Sequence, residues 1–545
     1  MGEQKVSILD GYLDEPSCLG VPPYIAPHIR YTYGALKDAG LTAEEIDYLT
    51  VDQFRNNKDE LLNKLQSSQI VIIIAGTTVP GKYLGGKPIS LQEIKRLAAS
   101  LQYPEVILSG PIINSGLEVN SVDQIAEEIP GLTIYQQLTN IDLTTELNAT
   151  EIIDRWAKLG AEVTTRHPNF PYLICELETF RGCPRDKNCS FCSEGFKQIT
   201  YHRSIKGIID EVDELSNLGN QYFRLGCQTD LLLYQATQKN GKLIPNLEAL
   251  NRLYTGIREV ASDLKTLHMD NINPSTIADF PDRAAEILEM IAVHNTAGDI
   301  AAFGLESADC EVLKANNIGT TPDKTLKAIK IMNQASGYRN KNGVPKLLPG
   351  LNLLHGLKGE REQTMELNMK FLHKILEQDL LVRRINVRQV NAIQGYETSY
   401  NYRKQEFKEY KTRINEEINQ PMLKRVFPKG TLLKEVIVEE VKGKISFARQ
   451  LGTYPILVGI PGQHEIGEVF DVKVIDYGYR SVTGIPWPFN INQAGLAELE
   501  SLPDIGKKRA MRIFMADKID DLDELNRILD YSYDVDKLKD LIVFN

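Results

Sequence analysis

The sequence predicts a four-part α/β protein, and three observations carry that expectation. Runs typical of buried strands alternate with amphipathic helical runs over most of the chain, the pattern of parallel strands covered by helices. Short strands separated by turns then fill residues 434 to 484, and two helical stretches around a turn close the chain. At 545 residues the chain is too long for one core, so roughly three or four domains are expected.

The elements follow in order. Within residues 1–150, "KVSILDGY", "QIVIIIAGTT" and "EVILSGP" have the composition of buried strands, and "APHIRYTYGALKDAG" and "SLQEIKRLAASL" have helical periodicity. This predicts a doubly wound layer whose ligand would lie at the strand carboxyl ends, near Gly11, Thr77 and Gly110. Residues 168–427 repeat the alternation with "PYLICELE", "QYFRLGC", "TLHMD", "IAAFGLES", "LLPGLNLLHG" and "INVRQVNAI", an α/β barrel, complete or partial. Residues 428–487 hold short strands that suit a small β-barrel. Residues 488–545 place "LPDIG" between two helices.

Charge and cysteine usage exclude several function classes. A net charge of −11 with 42% hydrophobic residues gives no general attraction to nucleic acid or anionic lipid, so any polyanion site must be local. No run approaches a membrane-spanning length and the start lacks the apolar run of a signal peptide, so a cytoplasmic protein without a membrane partner is expected. Seven cysteines in so long a chain, three of them clustered, argue for a metal site in a reducing compartment rather than a disulfide framework. Cys18, Cys175, Cys227 and Cys310 are expected as small core residues.

The cluster lies in "ETFRGCPRDKNCSFCSEG" (178–195), where Cys183, Cys189 and Cys192 have C-x5-C-x2-C spacing. Three soft thiolates on one short loop suit iron or zinc. Zinc usually takes four ligands, and neither Cys227 nor His202 follows closely; a zinc loop borrowing a distant ligand is the alternative to a four-iron cluster with one open iron.

The stretch resembles the signature of the radical S-adenosylmethionine (SAM) superfamily, with two more residues in the first gap than that family's commonest spacing. Further similarities follow in order: Phe191 before the third cysteine, "YFRLGCQTD" (222–230), "AAFGLESADCEVLKANN" (301–317) and "GLNLLHGLKGE" (350–360). The resemblance implies a partial TIM-type barrel and a [4Fe-4S] cluster on the three cysteines. It also implies SAM contacts at Phe191, Gly226, Gln228, Glu306, Ser307 and Gly356, with an electron donor of ferredoxin or flavodoxin type. The implied reaction is reductive cleavage of SAM to a 5′-deoxyadenosyl radical; no substrate-side catalytic residue is named.

The flanking parts carry resemblances of their own. Residues 1–150 resemble the Rossmann-like domain that precedes the barrel in cobalamin-dependent radical SAM enzymes and in methylthiotransferases. Cys18 alone offers no second cluster, and the D-x-H-x2-G cobalt-ligand motif is missing, so any cobalamin would bind without a protein ligand to cobalt, and a domain retained for packing or substrate contact is the preferred reading. Residues 428–487 look like a TRAM domain, which in methylthiotransferases helps hold tRNA. Residues 488–545 resemble a helix-hairpin-helix, with Gly506, Lys507, Lys508 and Arg509 as phosphate contacts, although Asp504 replaces the usual first hairpin glycine and protein docking is the alternative. Residues 383–429 hold 11 Lys and Arg against 5 Asp and Glu, interleaved with Tyr396, Tyr400, Tyr402, Phe407 and Tyr410. They suit either a nucleic-acid track or a solvated helix with its apolar stripe turned inward. The whole layout resembles a group of archaeal radical SAM proteins with a C-terminal helix-hairpin-helix. The expected function is modification of a macromolecule such as tRNA or other RNA. A cobalamin-assisted methyltransferase acting on protein or another substrate, or a non-enzymatic nucleic-acid-binding iron-sulfur protein, are the alternatives.

Overall fold

The computed structural model describes residues 5–13, 23–76, 86–115, 119–141, 148–197, 200–390, 396–398 and 404–544. The N-terminal strands are β1 (Val6–Asp10), β2 (Tyr24–Ile25), β3 (Ile46–Thr50), β4 (Ile70–Ile74), β5 (Glu105–Ser109) and β6 (Gln124–Ile125). Five of them make one parallel sheet in the order β3-β1-β4-β5-β6. Because side chains alternate along a strand, Val6, Ile8 and Ile72 enter one core while Leu9, Val71 and Ile73 enter another, so helices must cover both faces. The helix Leu91–Ser100 on the second face begins with a Ser90–Glu93 capping box.

Strand β2 does not join that sheet. Tyr24 and Ile25 pair with Ile174 and Cys175 of the next sheet, and Arg30 on the following helix, Pro27–Asp38, is ion-paired with Glu211 at 2.8 Å. The first domain is thereby stitched into the wall of the second, across the expected boundary at residue 150.

The second domain has six parallel strands, β7 (Ile174–Glu178), β8 (Tyr222–Gly226), β9 (Thr266–Met269), β10 (Asp299–Glu306), β11 (Leu347–His355) and β12 (Arg384–Gln389). They pair as two runs, β2-β7-β8-β9 and β10-β11-β12, joined by a single bridge between Asn271 and Ala302. The wall is a partial barrel, open between the β2–β7 edge and β12. Inside it, the fully buried Arg224 is held by Glu176 and by Asp270, the latter at 2.5 Å, so three charges are taken out of water as one network.

Residues 432–487 form a closed barrel of β13 (Leu432–Lys442), β14 (Ile445–Arg449), β15 (Leu457–Pro461), β16 (Val469–Tyr477) and β17 (Ser481–Trp487), in the order β13-β14-β15-β17-β16. The loop from β14 to β15 plugs the floor of the six-stranded wall. Thr453 N donates to His268 Nδ1 at 2.9 Å, Thr266 donates to Leu451 O at 2.7 Å, and a Cβ on Gly452 would stand 2.7 Å from the His268 ring. Last come the helices Leu496–Ser501 and Lys507–Phe514, whose core includes Ile475 and Ile485 of the small barrel.

Candidate active site

The cysteine loop leaves the carboxyl end of β7, the end of an α/β barrel where loops carry chemistry. Gly182 turns the chain at φ +93, and Cys192 N closes a turn onto Cys189 O at 3.1 Å. The three cysteines are half-buried and unoxidised. Burial pushes all three thiols above their ordinary range, opposed at Cys183 and Cys189 by the Arg185 guanidinium. Cys183 and Cys189 stand close enough to Cys192 for each to disfavour ionisation there. Among the described residues no three His, Cys, Asp or Glu side chains have the spacing to hold one metal ion. A [4Fe-4S] cluster gives each thiolate its own iron and so accepts more widely spaced sulfurs than a single metal ion does.

The loop is fastened by residues that its own sequence does not announce. Arg185 donates to Cys189 Sγ at 3.0 Å and to Asn317 O at 2.6 Å, and it passes close over Gly319, where a Cβ would stand 2.8 Å from the guanidinium. Ser190 donates from its backbone to Asn316 O and from its hydroxyl to Asn316 Oδ1 at 2.9 Å. The Asn316 amide also receives Tyr396 OH at 2.6 Å and donates to Lys358 O at 2.8 Å. Lys358 N in turn donates to Tyr396 OH at 2.9 Å. Four loops, after β7, β10, β11 and β12, therefore meet at one buried asparagine. The signal for it was the "NN" that ends the 301–317 motif.

The other expected residues line the same bowl in different ways. Gly226 ends β8 where a Cβ would stand 2.2 Å from Glu176 Oε1, so only glycine fits over the buried ion pairs. Gln228 is fully buried, donating to Leu225 O at 3.2 Å and accepting from Thr179 at 3.3 Å. Gly356 ends β11 at φ +91, and its N donates to Glu360 Oε2 at 2.8 Å. Phe191 meets the Tyr396 ring edge-on at 6.4 Å. Glu306 ends β10 in the left-handed region, φ +62, beside a break in strand register at Gly304. Its depth in the bowl pushes its carboxyl up to about 8, against the pull of Arg388. Ser307 is fully buried, and its hydroxyl accepts from Asp309 N at 3.1 Å, which gives it a part in shaping the turn. Asp230, missed by sequence reasoning, is buried on the loop after β8; burial raises its carboxyl to about 7.

Two expectations need correction, and in the 383–429 stretch the described rings favour the inward apolar stripe over the nucleic-acid track. Cys310 is exposed, because it opens the helix Cys310–Ala315 on the solvent side, whereas Cys175 and Cys227 are buried. Tyr396 and Tyr410 are buried and Phe407 packs against the core, so these rings are inward stripes and offer no stacking platform; Tyr400 and Tyr402 lie outside the described residues. At the C-terminal hairpin, Lys507 and Lys508 are exposed beside Gly506, which caps the helix Lys507–Phe514. Arg509, however, is committed to Asp504 O, Ser532 O and the Tyr533 ring, while Asp504 pairs with Lys537 at 2.6 Å.

In the N-terminal sheet the described strand ends are closed by the chain itself. Gly11 N donates to Ile74 O, Ile89 N donates to Gly11 O, and a Cβ on Gly110 would stand 2.6 Å from Ala75 O. Cys18 and Thr77 lie outside the described residues. No described helix is long and apolar enough to cross a membrane.

Residues 177–372 match the model of the radical SAM superfamily. The chain is 40% identical over 517 residues to an uncharacterized protein of Archaeoglobus fulgidus, spanning 93% of this chain and 95% of the relative. It is also 40% identical over 511 residues to an uncharacterized protein of Methanocaldococcus jannaschii, spanning 88% and 93%. In fold it is similar to the cobalamin-dependent SAM radical enzyme OxsB, with a TM-score of 0.50 and 12% identity over 77% of this chain and 56% of that one. It is also similar to the radical SAM methyltransferase TsrM of Kitasatospora setae, with a TM-score of 0.48 and 14% identity over 71% and 73%.

Proposed function

The chain belongs to the radical SAM superfamily, and from that premise we propose that Cys183, Cys189 and Cys192 hold its [4Fe-4S] cluster with one iron left open to SAM. When bound, the cluster supplies reductive cleavage of SAM to a 5′-deoxyadenosyl radical. The protein is an enzyme, and such enzymes draw on an electron donor, here of ferredoxin or flavodoxin type. The observation that carries the ligand assignment is the fastening of the cysteine loop to Asn316, Asn317 and Tyr396, which holds three thiols at the mouth of the bowl. Gly226, Gln228 and Gly356 are the proposed contacts for SAM, with Phe191 packing beside it. Glu306, protonated below about pH 8, would face it as a hydrogen-bond donor.

The substrate we infer is a macromolecule, RNA such as tRNA. The closed barrel 432–487, read as TRAM-like, and the exposed Lys507 and Lys508 on the helix-hairpin-helix support this. Anaerobic reconstitution tests the cluster: each of Cys183→Ala, Cys189→Ala and Cys192→Ala is expected to lose iron-sulfur absorbance and SAM cleavage together. Wild type is expected to hold about four irons, a content that Cys18→Ala leaves unchanged. Protein that loads zinc and no iron would overturn the assignment. The substrate is tested by comparing modified nucleosides in RNA from cells with and without the gene.

A second reading, cobalamin-assisted methyl transfer, draws on the β3-β1-β4-β5-β6 order, whose reversal between β1 and β4 is where doubly wound sheets place ligands. Corrinoid absorbance in anaerobically purified protein would favour it over the first.

A further inference from the structure

The open side of the six-stranded wall holds a cavity of about 380 Å³, lined by β12, the small barrel and the helical segment that follows β12. Pro23 and Ile174 stand on one edge of the wall and Arg384 and Asn386 on the other, so the cavity occupies the lateral gap of the partial barrel. Its charge is unbalanced. Arg383, Arg384, Arg449 and Arg480 all line it, and Glu439 answers only Arg449, at 2.7 Å. Among the described residues Arg383 and Arg384 have no carboxylate partner in an ion pair; they rest on Tyr454 O at 3.3 Å, on Asn386 at 2.9 Å and on the Phe427 and Tyr454 rings. Asp270 is nearby but is committed to Arg224.

Arg383 and Arg384 are half-buried, and partly withdrawing guanidinium groups from water without counter-ions is unfavourable. Burial and mutual repulsion accordingly pull Arg383 down to about 9 and Arg384 to about 10, with Arg388 and Arg480 contributing at Arg384. Two neutral donors complete the lining. The helix widens to a π-turn over Ile414–Asn419, and Asn415 and Asn419 both border the cavity. Alternation along β12 puts Arg384, Asn386 and Arg388 on one face, and Arg388 lies within electrostatic reach of Glu306. A row of polar and cationic side chains thus runs from the cavity to the bowl.

We propose that this cavity is a phosphate-binding subsite of the substrate channel, in which Arg383, Arg384 and Arg480 grip a phosphate ester of the substrate while its reacting part reaches toward Glu306. Forked guanidinium donors match phosphate oxygens, and an anion there would neutralise the excess charge. The inference deepens the RNA reading but does not stand or fall with it, since a small phosphorylated molecule carries the same group.

The test is calorimetric titration of the full-length chain with inorganic pyrophosphate, followed by competition with a purified tRNA pool. Wild type is expected to bind pyrophosphate, and Arg480→Gln and Arg384→Gln to weaken it at least about tenfold, roughly the loss of one charge-assisted hydrogen bond. Arg480 is exposed on the turn between β16 and β17, so its variant is the one least exposed to a folding defect; far-UV circular dichroism checks both. Lys95→Ala, on the exposed side of the helix Leu91–Ser100 and outside the cavity lining, is expected to leave pyrophosphate binding unchanged. No binding by wild type, or an equal loss in Lys95→Ala and Arg480→Gln, overturns the subsite. Pyrophosphate binding that tRNA does not displace upholds the subsite with a small phosphorylated substrate and defeats the RNA reading. Binding of both pyrophosphate and tRNA indifferent to Arg480→Gln defeats the subsite and leaves the RNA reading standing.

Discussion

Asn316 shows how much of the site depends on one amide. It is fully buried, and its side chain answers Ser190, Tyr396, Lys358 and its own helix at Val312. Removing it in Asn316→Ala would leave the Ser190 and Tyr396 hydroxyls and the Lys358 carbonyl without this partner, at up to about 1–3 kcal/mol for the buried Tyr396 and less where water can reach. All three thiols remain, so initial iron content is expected to be normal. Iron loss to a chelator is expected to quicken by about tenfold or more, since each 1.4 kcal/mol is about a factor of ten. An unchanged chelation rate would show that the cysteine loop holds its shape without this brace. The neighbouring Arg185 illustrates a different limit: its arginine identity was plain in "GCPRDK", but that it reaches Asn317 across the bowl was not, because the partner lies 132 positions away.

At the scale of elements, β1 carries a charge that its burial opposes. Asp10, the last residue of β1, accepts from Tyr12 N at 2.9 Å and from Tyr48 OH at 2.9 Å, yet desolvation outweighs both bonds and raises its carboxyl to about 6. In the unfolded chain the group ionises near its ordinary 3.8. Between those values the folded state holds a proton that the unfolded state has lost, so Asp10 lowers stability as pH rises, and its effect levels off above about 6. The slope is at most about 1.4 kcal/mol per pH unit. Urea unfolding of wild type against Asp10→Asn between pH 5 and 7 checks this. The variant is expected to lose that component of the pH dependence, and parallel curves for the two proteins would refute it. The periodicity of "VSILD" announced a strand buried on both faces, while the trapped acid became visible only once Tyr48 of β3 was seen beside it.

On the scale of the whole molecule, the domains share surfaces that a cut would expose. The C-terminal helices pack on Ile475 and Ile485 of the small barrel, and Lys473 reaches Asp540 O, so deleting 488–545 would uncover an apolar face and confuse any binding measurement. Point variants test the hairpin cleanly. Lys507→Ala with Lys508→Ala is expected to shallow the salt dependence of RNA binding by about one to two units of slope, at roughly 0.7 to 0.9 for each phosphate the protein no longer neutralises. Arg509→Ala would instead loosen the hold on Ser532 and Tyr533, so it reports on folding rather than on RNA. An RNA salt slope unaffected by the double lysine variant would make the hairpin a protein-docking element.

The sequence by itself determined the strand and helix alternation, the radical SAM resemblance of the cysteine loop, and the small barrel with the helices that follow it. Each of these is written in local periodicity or in short spacing, over a few to a few tens of residues. Tertiary structure alone decided the rest: that Tyr24–Ile25 crosses into the second domain, that Asn316 and Tyr396 fasten the cysteine loop, and that four arginines from two domains converge on the open side of the barrel. These are juxtapositions of residues tens to hundreds of positions apart. They are set by which surfaces pack together, and a one-dimensional pattern carries no record of that.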